Sequence, residues 1–153
     1  MEYRAANADE VAIINSLIER TIHQSYRTTY SNSAIKFFSE FHSCEEITNR
    51  MKNGLVLVAY DSDKLVGTGS LLGNKILGVF IDPEEQRKGI GATIMRHLEN
   101  QASKLGCSTI ELSVSLPSYD FYQKIGYSGF KPVKKILSDS SAVDYYHATK
   151  NLV

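Results

Sequence analysis

Gln86-Arg87-Lys88-Gly89-Ile90-Gly91-Ala92 joins an apolar run to an amphipathic one. The apolar run, Ile76-Leu77-Gly78-Val79-Phe80-Ile81, has the composition of a strand, and Asp82-Pro83-Glu84-Glu85 turns the chain away from it. Downstream, Ile90, Thr93, Ile94, Leu98, Ala102 and Leu105 recur at helical spacing until Gly106 closes the pattern. A glycine-bearing turn at a helix start presents unpaired amides and the positive end of the macrodipole, which is a place for an anion. Gly89 and Gly91 let the backbone approach a ligand, and Arg87 and Lys88 add formal charge. The spacing is neither G-x-x-x-x-G-K-[ST] nor G-x-G-x-x-G, which argues against a nucleotide triphosphatase, a nucleotide-binding regulatory domain or a dinucleotide site.

The pattern [QR]-x-x-G-x-[GA] resembles the acetyl-CoA pyrophosphate loop of the GNAT superfamily of N-acetyltransferases. Other segments resemble the family in the same order. Tyr3-Arg4-Ala5-Ala6-Asn7-Ala8-Asp9-Glu10-Val11 is similar to its first strand and helix start, and Lys64-Leu65-Val66-Gly67 to its third strand. Phe121-Tyr122-Gln123-Lys124-Ile125-Gly126-Tyr127 is similar to its late F-Y-x-K-x-G-[FY] segment. The resemblance spans nearly the whole chain.

The bulk properties agree with one domain over residues 1–153. No apolar run approaches the roughly 18 residues of a membrane span, and the polar start is not a signal peptide. A cytoplasmic location and no membrane partner are therefore expected. Lysine plus arginine equals aspartate plus glutamate at 17 each, so charge gives nucleic-acid binding no support. Cys44 and Cys107 lie far apart, and His23, His42, His97 and His147 show no ligand spacing, so no metal is expected.

Periodicity predicts a strand at 2–6, a helix from an Asn7 cap carrying Val11, Ile14, Leu17, Ile18 and Ile22, and a loop within 25–33. Short helices follow at 34–41 and 44–51. Strands are predicted at 55–60, 64–72 and 75–81, a helix at 89–105, a strand at 108–116, a helix from Pro117 to about residue 125, and a closing hairpin of 129–137 with 143–149. This order is an α/β domain of the α+β type. Its central sheet is mixed and mostly antiparallel, with helices on both faces, which is what the GNAT resemblance implies.

The resemblance further implies that acetyl-CoA enters where the parallel strands 75–81 and 108–115 splay apart. It places the pantetheine arm on the backbone of Val79 and Ile81, and the pyrophosphate on Gln86, Arg87, Lys88, Gly89, Ile90, Gly91 and Ala92. Gly78 fits either a strand bulge or a packing accommodation. Many relatives carry glycine at the place of Arg87 and asparagine at the place of Ser115, whose shorter side chain reaches less far. Tyr122 matches the family's general acid, a phenol of pKa about 10 able to protonate a thiolate of pKa about 8.5. Lys124 is a candidate for the 3′-phosphate. Lys75 stands where some relatives hold a catalytic glutamate, so the base is open: Glu111 is a candidate, and a water relay is the default. Tyr26, Tyr30, Phe37, His42 and Tyr145 are expected in the acceptor groove. The expected reaction is acetyl transfer from acetyl-CoA to a primary amine by direct attack, and the alternative is a non-catalytic acyl-CoA-binding or sensing module. The expected partner is a small-molecule or peptide amine, with a homodimer left open.

Overall fold

A computed structural model describes all residues, Met1–Val153. Seven strands form one sheet in the order β1-β2-β3-β4-β5-β7-β6. They are β1 (Glu2–Ala5), β2 (Leu55–Asp61), β3 (Lys64–Leu72), β4 (Lys75–Ile81), β5 (Thr109–Ser115), β6 (Ser128–Ile136) and β7 (Ala142–Asn151). All neighbours run antiparallel except β4 and β5. Five helices cover the sheet: α1 (Val11–Ser25), α2 (Asn32–Phe41), α3 (Cys44–Asn53), α4 (Ile90–Lys104) and α5 (Tyr119–Lys124).

Local chemistry sets the helix starts. Ser31 and Ser43 accept bonds from the Ala34 and Glu46 amides, so α2 and α3 begin where their caps stand. α2 therefore starts two residues before the alanine predicted to open it. Ahead of α1, the Asn7 amide donates to the Glu10 carboxylate at 2.8 Å, and Ala8–Glu10 forms a 3₁₀ turn. Pro117 likewise opens a 3₁₀ turn, Leu116–Ser118, and α5 begins only at Tyr119; the helix expected from Pro117 onward is split.

The sheet separates two cores. α4 packs on one face with Ile94, Leu98, Ile110, Leu112 and Val114. It lies close because Gly67 and Gly69 of β3 face it, and a Cβ on either would stand within 3 Å of Ile94 side-chain atoms. α1, α2 and α3 cover the other face with Ile14, Leu17, Ile18, Ile22, Ile47, Val58 and Phe80. No helix is long and apolar enough to cross a membrane.

Candidate active site

β4 and β5 share a single register pair, Lys75 with Glu111, secured by the Glu111 amide donating to the Asn74 carbonyl at 3.1 Å. Beyond it the strands diverge. The edge of β4 that faces the gap follows from its pairing with β3. The Asp82 amide donates to the Val66 carbonyl at 2.8 Å, so the Thr68–Phe80 pair is hydrogen-bonded and Ile81 turns its N–H and C=O the other way. Val79, two residues back, shares that edge. The backbone polar groups of Val79 and Ile81 thus face a gap with no strand across it. The Ile81 carbonyl accepts Gln86 Nε2 at 3.1 Å.

Gly78 forms a bulge opposite Gly69, with φ of 65°. A Cβ there would stand 2.9 Å from Arg50 Nη1, so the bulge combines a left-handed backbone with close approach of a buried side chain.

The loop after β4 is held by Asp82. This buried carboxylate accepts the Glu84 amide at 2.9 Å and Arg20 Nη2, from α1, at 2.7 Å. The amides of residues 86–92 then find no acceptor anywhere in the protein. Gly89 caps α4 with φ of 83° and nothing within 4 Å of its would-be Cβ. Free amides before and at a helix start are a donor set for an anion. Two expectations are corrected here. Gly91 is small because Phe121 sits 3.1 Å from its would-be Cβ, which makes it a packing glycine. Lys88 does not bring free charge to the loop, because Glu85 holds it at 2.8 Å. Arg87 keeps its amide in place only by adopting φ of 66°, the conformation that glycine takes freely.

A cavity of about 360 Å³ runs from the gap toward α2 and the β6–β7 hairpin. Of the expected groove residues, Tyr26, Phe37, His42 and Tyr145 line it, together with Val79, Ser115 and Tyr122. The Tyr122 hydroxyl has no protein partner, yet no buried side-chain oxygen is unsatisfied, so the hydroxyl opens on the cavity. Burial pushes its pKa up, so the proton stays on oxygen. Ser115 Oγ shares a hydrogen bond of 2.8 Å with Ser118 Oγ, beside the Tyr26 hydroxyl, whose pKa burial also raises.

Two residues, Tyr30 and Glu111, stand otherwise than expected. Tyr30 does not line the cavity. Its hydroxyl donates to the Asp144 carbonyl at 2.7 Å and accepts the Leu116 amide at 2.9 Å, tying the segment before α2 to β7 and the turn before α5. Lys124 is exposed at the end of α5 and forms no ion pair. Glu111 pairs with Lys75 at 3.7 Å at the closed end of the gap. Four residues of strand separate it from Ser115, about 13 Å, too far for a base serving chemistry near Tyr122. His42 is buried, and its Nδ1 accepts from Arg50 Nη1 at 3.0 Å. Burial and the Arg50 charge lower its pKa to about 3, so it is a neutral donor through Nε2 and no base.

Arg50 itself was missed. Its signal was a cation on the apolar face of a helix, three residues after Ile47 and one before Met51. Lys135, from the hairpin, also lines the cavity without having been singled out, and His147 of the same hairpin lines it too.

The sequence model of the acetyltransferase (GNAT) domain matches residues 26–135. The chain belongs to the GNAT acetyltransferase family. Solved structures share the fold of this GNAT protein over almost its whole length. A GCN5-related N-acetyltransferase from Rhodopseudomonas palustris is 20% identical with a TM-score of 0.88, covering 98% of this chain and 94% of its own. The PaiA N-acetyltransferase of Thermoplasma acidophilum, in complex with coenzyme A, is 22% identical with a TM-score of 0.76, covering 98% of each chain. The ribosomal-protein-alanine N-acetyltransferase of Brucella melitensis is 15% identical with a TM-score of 0.75, covering 99% of each chain. None of the curated proteins matches this GNAT chain. At these identities the structures establish the architecture, and the GNAT site must be read from its own residues.

Proposed function

We propose that the protein is an N-acetyltransferase that moves acetyl from acetyl-CoA to a primary amine by direct attack. The observation that carries this reading is the Tyr122 hydroxyl, free of protein partners and open on the cavity that the splayed strands feed. A module that only bound acyl-CoA would have no use for a proton donor there.

The residues divide the work. The amides of 86–92 hold the diphosphate, and the outward edge of Val79 and Ile81 pairs with the amide-bearing arm, as a strand would. Acetyl-CoA supplies the acyl group and a thiolate leaving group. A backbone N–H on the β4 edge stabilises charge developing on the acyl oxygen. Tyr122 donates a hydrogen bond to the sulfur as charge builds there. Burial makes complete proton transfer from this phenol harder than from a free one, so its contribution is chiefly to that developing charge. The incoming ammonium must lose a proton before attack. His42 has no free lone pair for it, so water in the cavity carries the proton away.

The test is thiol release from acetyl-CoA with a panel of amines, run on wild type and Tyr122→Phe. The substitution keeps the ring and removes only the donor. Turnover is expected to fall roughly 10²-fold, the lower end for general acid catalysis, with acetyl-CoA affinity unchanged. Wild-type turnover in the variant would show that the thiolate leaves unassisted.

A further inference from the structure

The acceptor end of the cavity has an unusual charge balance. Glu111 is the single carboxylate on the lining, and Lys75 already pairs with it at 3.7 Å. Lys135 also lines the cavity, with its ammonium 5.6 Å from the centre of the Phe37 ring and no carboxylate within ion-pair distance. Behind the wall stands Arg50, 3% exposed and without any salt bridge. Its guanidinium donates to Phe41 O at 2.7 Å, at the C-terminal end of α2, and to His42 Nδ1 at 3.0 Å. Neither partner carries negative charge. The Glu46 carboxylate, one turn earlier on α3, acts on the guanidinium only from beyond ion-pair distance. A buried guanidinium without an ion pair is costly.

His42, itself neutral, lies between that cation and the cavity. Because Nδ1 accepts from Arg50, the remaining N–H is on Nε2. That nitrogen has no protein partner and is not sealed off, so it opens on the cavity that His42 lines. A donor backed by a buried cation, with a free ammonium on the same lining and aromatic walls from Phe37, Phe41 and Phe80, suits an anion with an apolar body. It does not suit a polycation.

We propose that the amine acceptor carries an anionic group, a carboxylate or a phosphate, held between His42 Nε2 and Lys135 while its amine faces Val79 and Tyr122. The proposal rests on the acetyl-transfer reading and names the substrate class for it. The positive field of Lys135 and Arg50 at this end disfavours an ammonium bound the wrong way round.

The test uses matched acceptors that differ only in the anion: 4-aminobutyrate against butylamine, phenylalanine against phenethylamine, and phosphoethanolamine against ethanolamine. Each is titrated by calorimetry into the protein saturated with coenzyme A, so the result does not depend on turnover. The anionic member of at least one pair is expected to bind about tenfold more tightly or better, a difference of about 1.4 kcal/mol. The pair that shows it separates carboxylate from phosphate. Lys135→Glu, an exposed change, is expected to abolish the preference, and Lys135→Arg to keep it. Equal or weaker binding of all three anionic members, no binding by any of them, or a preference untouched by Lys135→Glu overturns the proposal. The preliminary coenzyme A titration stands apart: if no coenzyme A binds, the acetyl-transfer reading fails, and the anion preference is read by the same ratios on the free protein.

Discussion

Arg87 holds a left-handed backbone that costs a non-glycine residue about 1–2 kcal/mol, and it does so in a loop whose amides carry the proposed binding. Arg87→Gly is expected to leave stability unchanged or raise it by up to about 1 kcal/mol, since relief of strain is partly offset by a more flexible unfolded chain. Arg87→Ala keeps the strain and is expected to give no such gain. Chemical denaturation of the two variants separates conformation from charge. His42 gives a pH prediction. Its folded pKa, about 3, lies below the usual histidine value near 6.5, so the folded state favours the neutral ring. The stability this contributes is complete above pH 6.5 and is lost as pH falls from there toward 3. Between pH 6.5 and 5 the unfolded state takes up the extra proton, and stability should drop by about 1.6 kcal/mol. His42→Asn should flatten that slope in urea unfolding at the two pH values. At this scale the sequence showed the loop's glycines but not their separate reasons. The contact of Gly91 with Phe121 and the pairing of Lys88 with Glu85 depend on where α5 and the turn come to rest. Arg50 shows the same limit, since a helix pattern marks its face but not the bulge at Gly78 that its guanidinium meets.

Among the elements, strands and helices were largely legible because their signals are local. Alternation marked β5, and the turn residues of the closing hairpin marked β6 and β7, whereas the serine caps that fix the starts of α2 and α3 went unread. What a helix start signal could not convey was how Pro117 divides its segment, because the 3₁₀ turn there is fixed by Tyr30 from a distant part of the chain accepting the Leu116 amide. Tyr30 was expected in the groove because the family resemblance puts its segment there, and its hydroxyl proved to be the bond between α2's approach and the β7 edge. Tyr30→Phe leaves the Leu116 amide and the Asp144 carbonyl without that partner. Equilibrium unfolding is expected to show a loss of about 1–3 kcal/mol, and the affinity for acetyl-CoA should change little. A loss below about 0.5 kcal/mol would mean that water replaces both bonds.

Across the whole molecule, the order of strands explains why one cavity can serve two ligands. The antiparallel pairs on both sides of the sheet are continuous, and each is buried against its own helices, so the gap between β4 and β5 is the one opening in an otherwise paired sheet. From the α4 side the loop offers free amides; from the α2 side the aromatic wall offers a place for an acceptor. The family and the parallel pairing of β4 with β5 could be anticipated from motif order, whereas the charge of the acceptor end arises from α2, α3 and β6 meeting in space. The account therefore stands on the loop's role as a diphosphate cradle. Gly89 tests it most directly, because a side chain there meets nothing within 4 Å and Asn or Asp tolerates its φ of 83°. Gly89→Asn and Gly89→Asp are nearly the same shape and differ in charge. In calorimetric titration with acetyl-CoA, the Asp variant is expected to bind at least about tenfold more weakly than the Asn variant, or about 1.4 kcal/mol. Equal affinity in the two variants, with the fold intact, would contradict the assignment of the diphosphate to this loop.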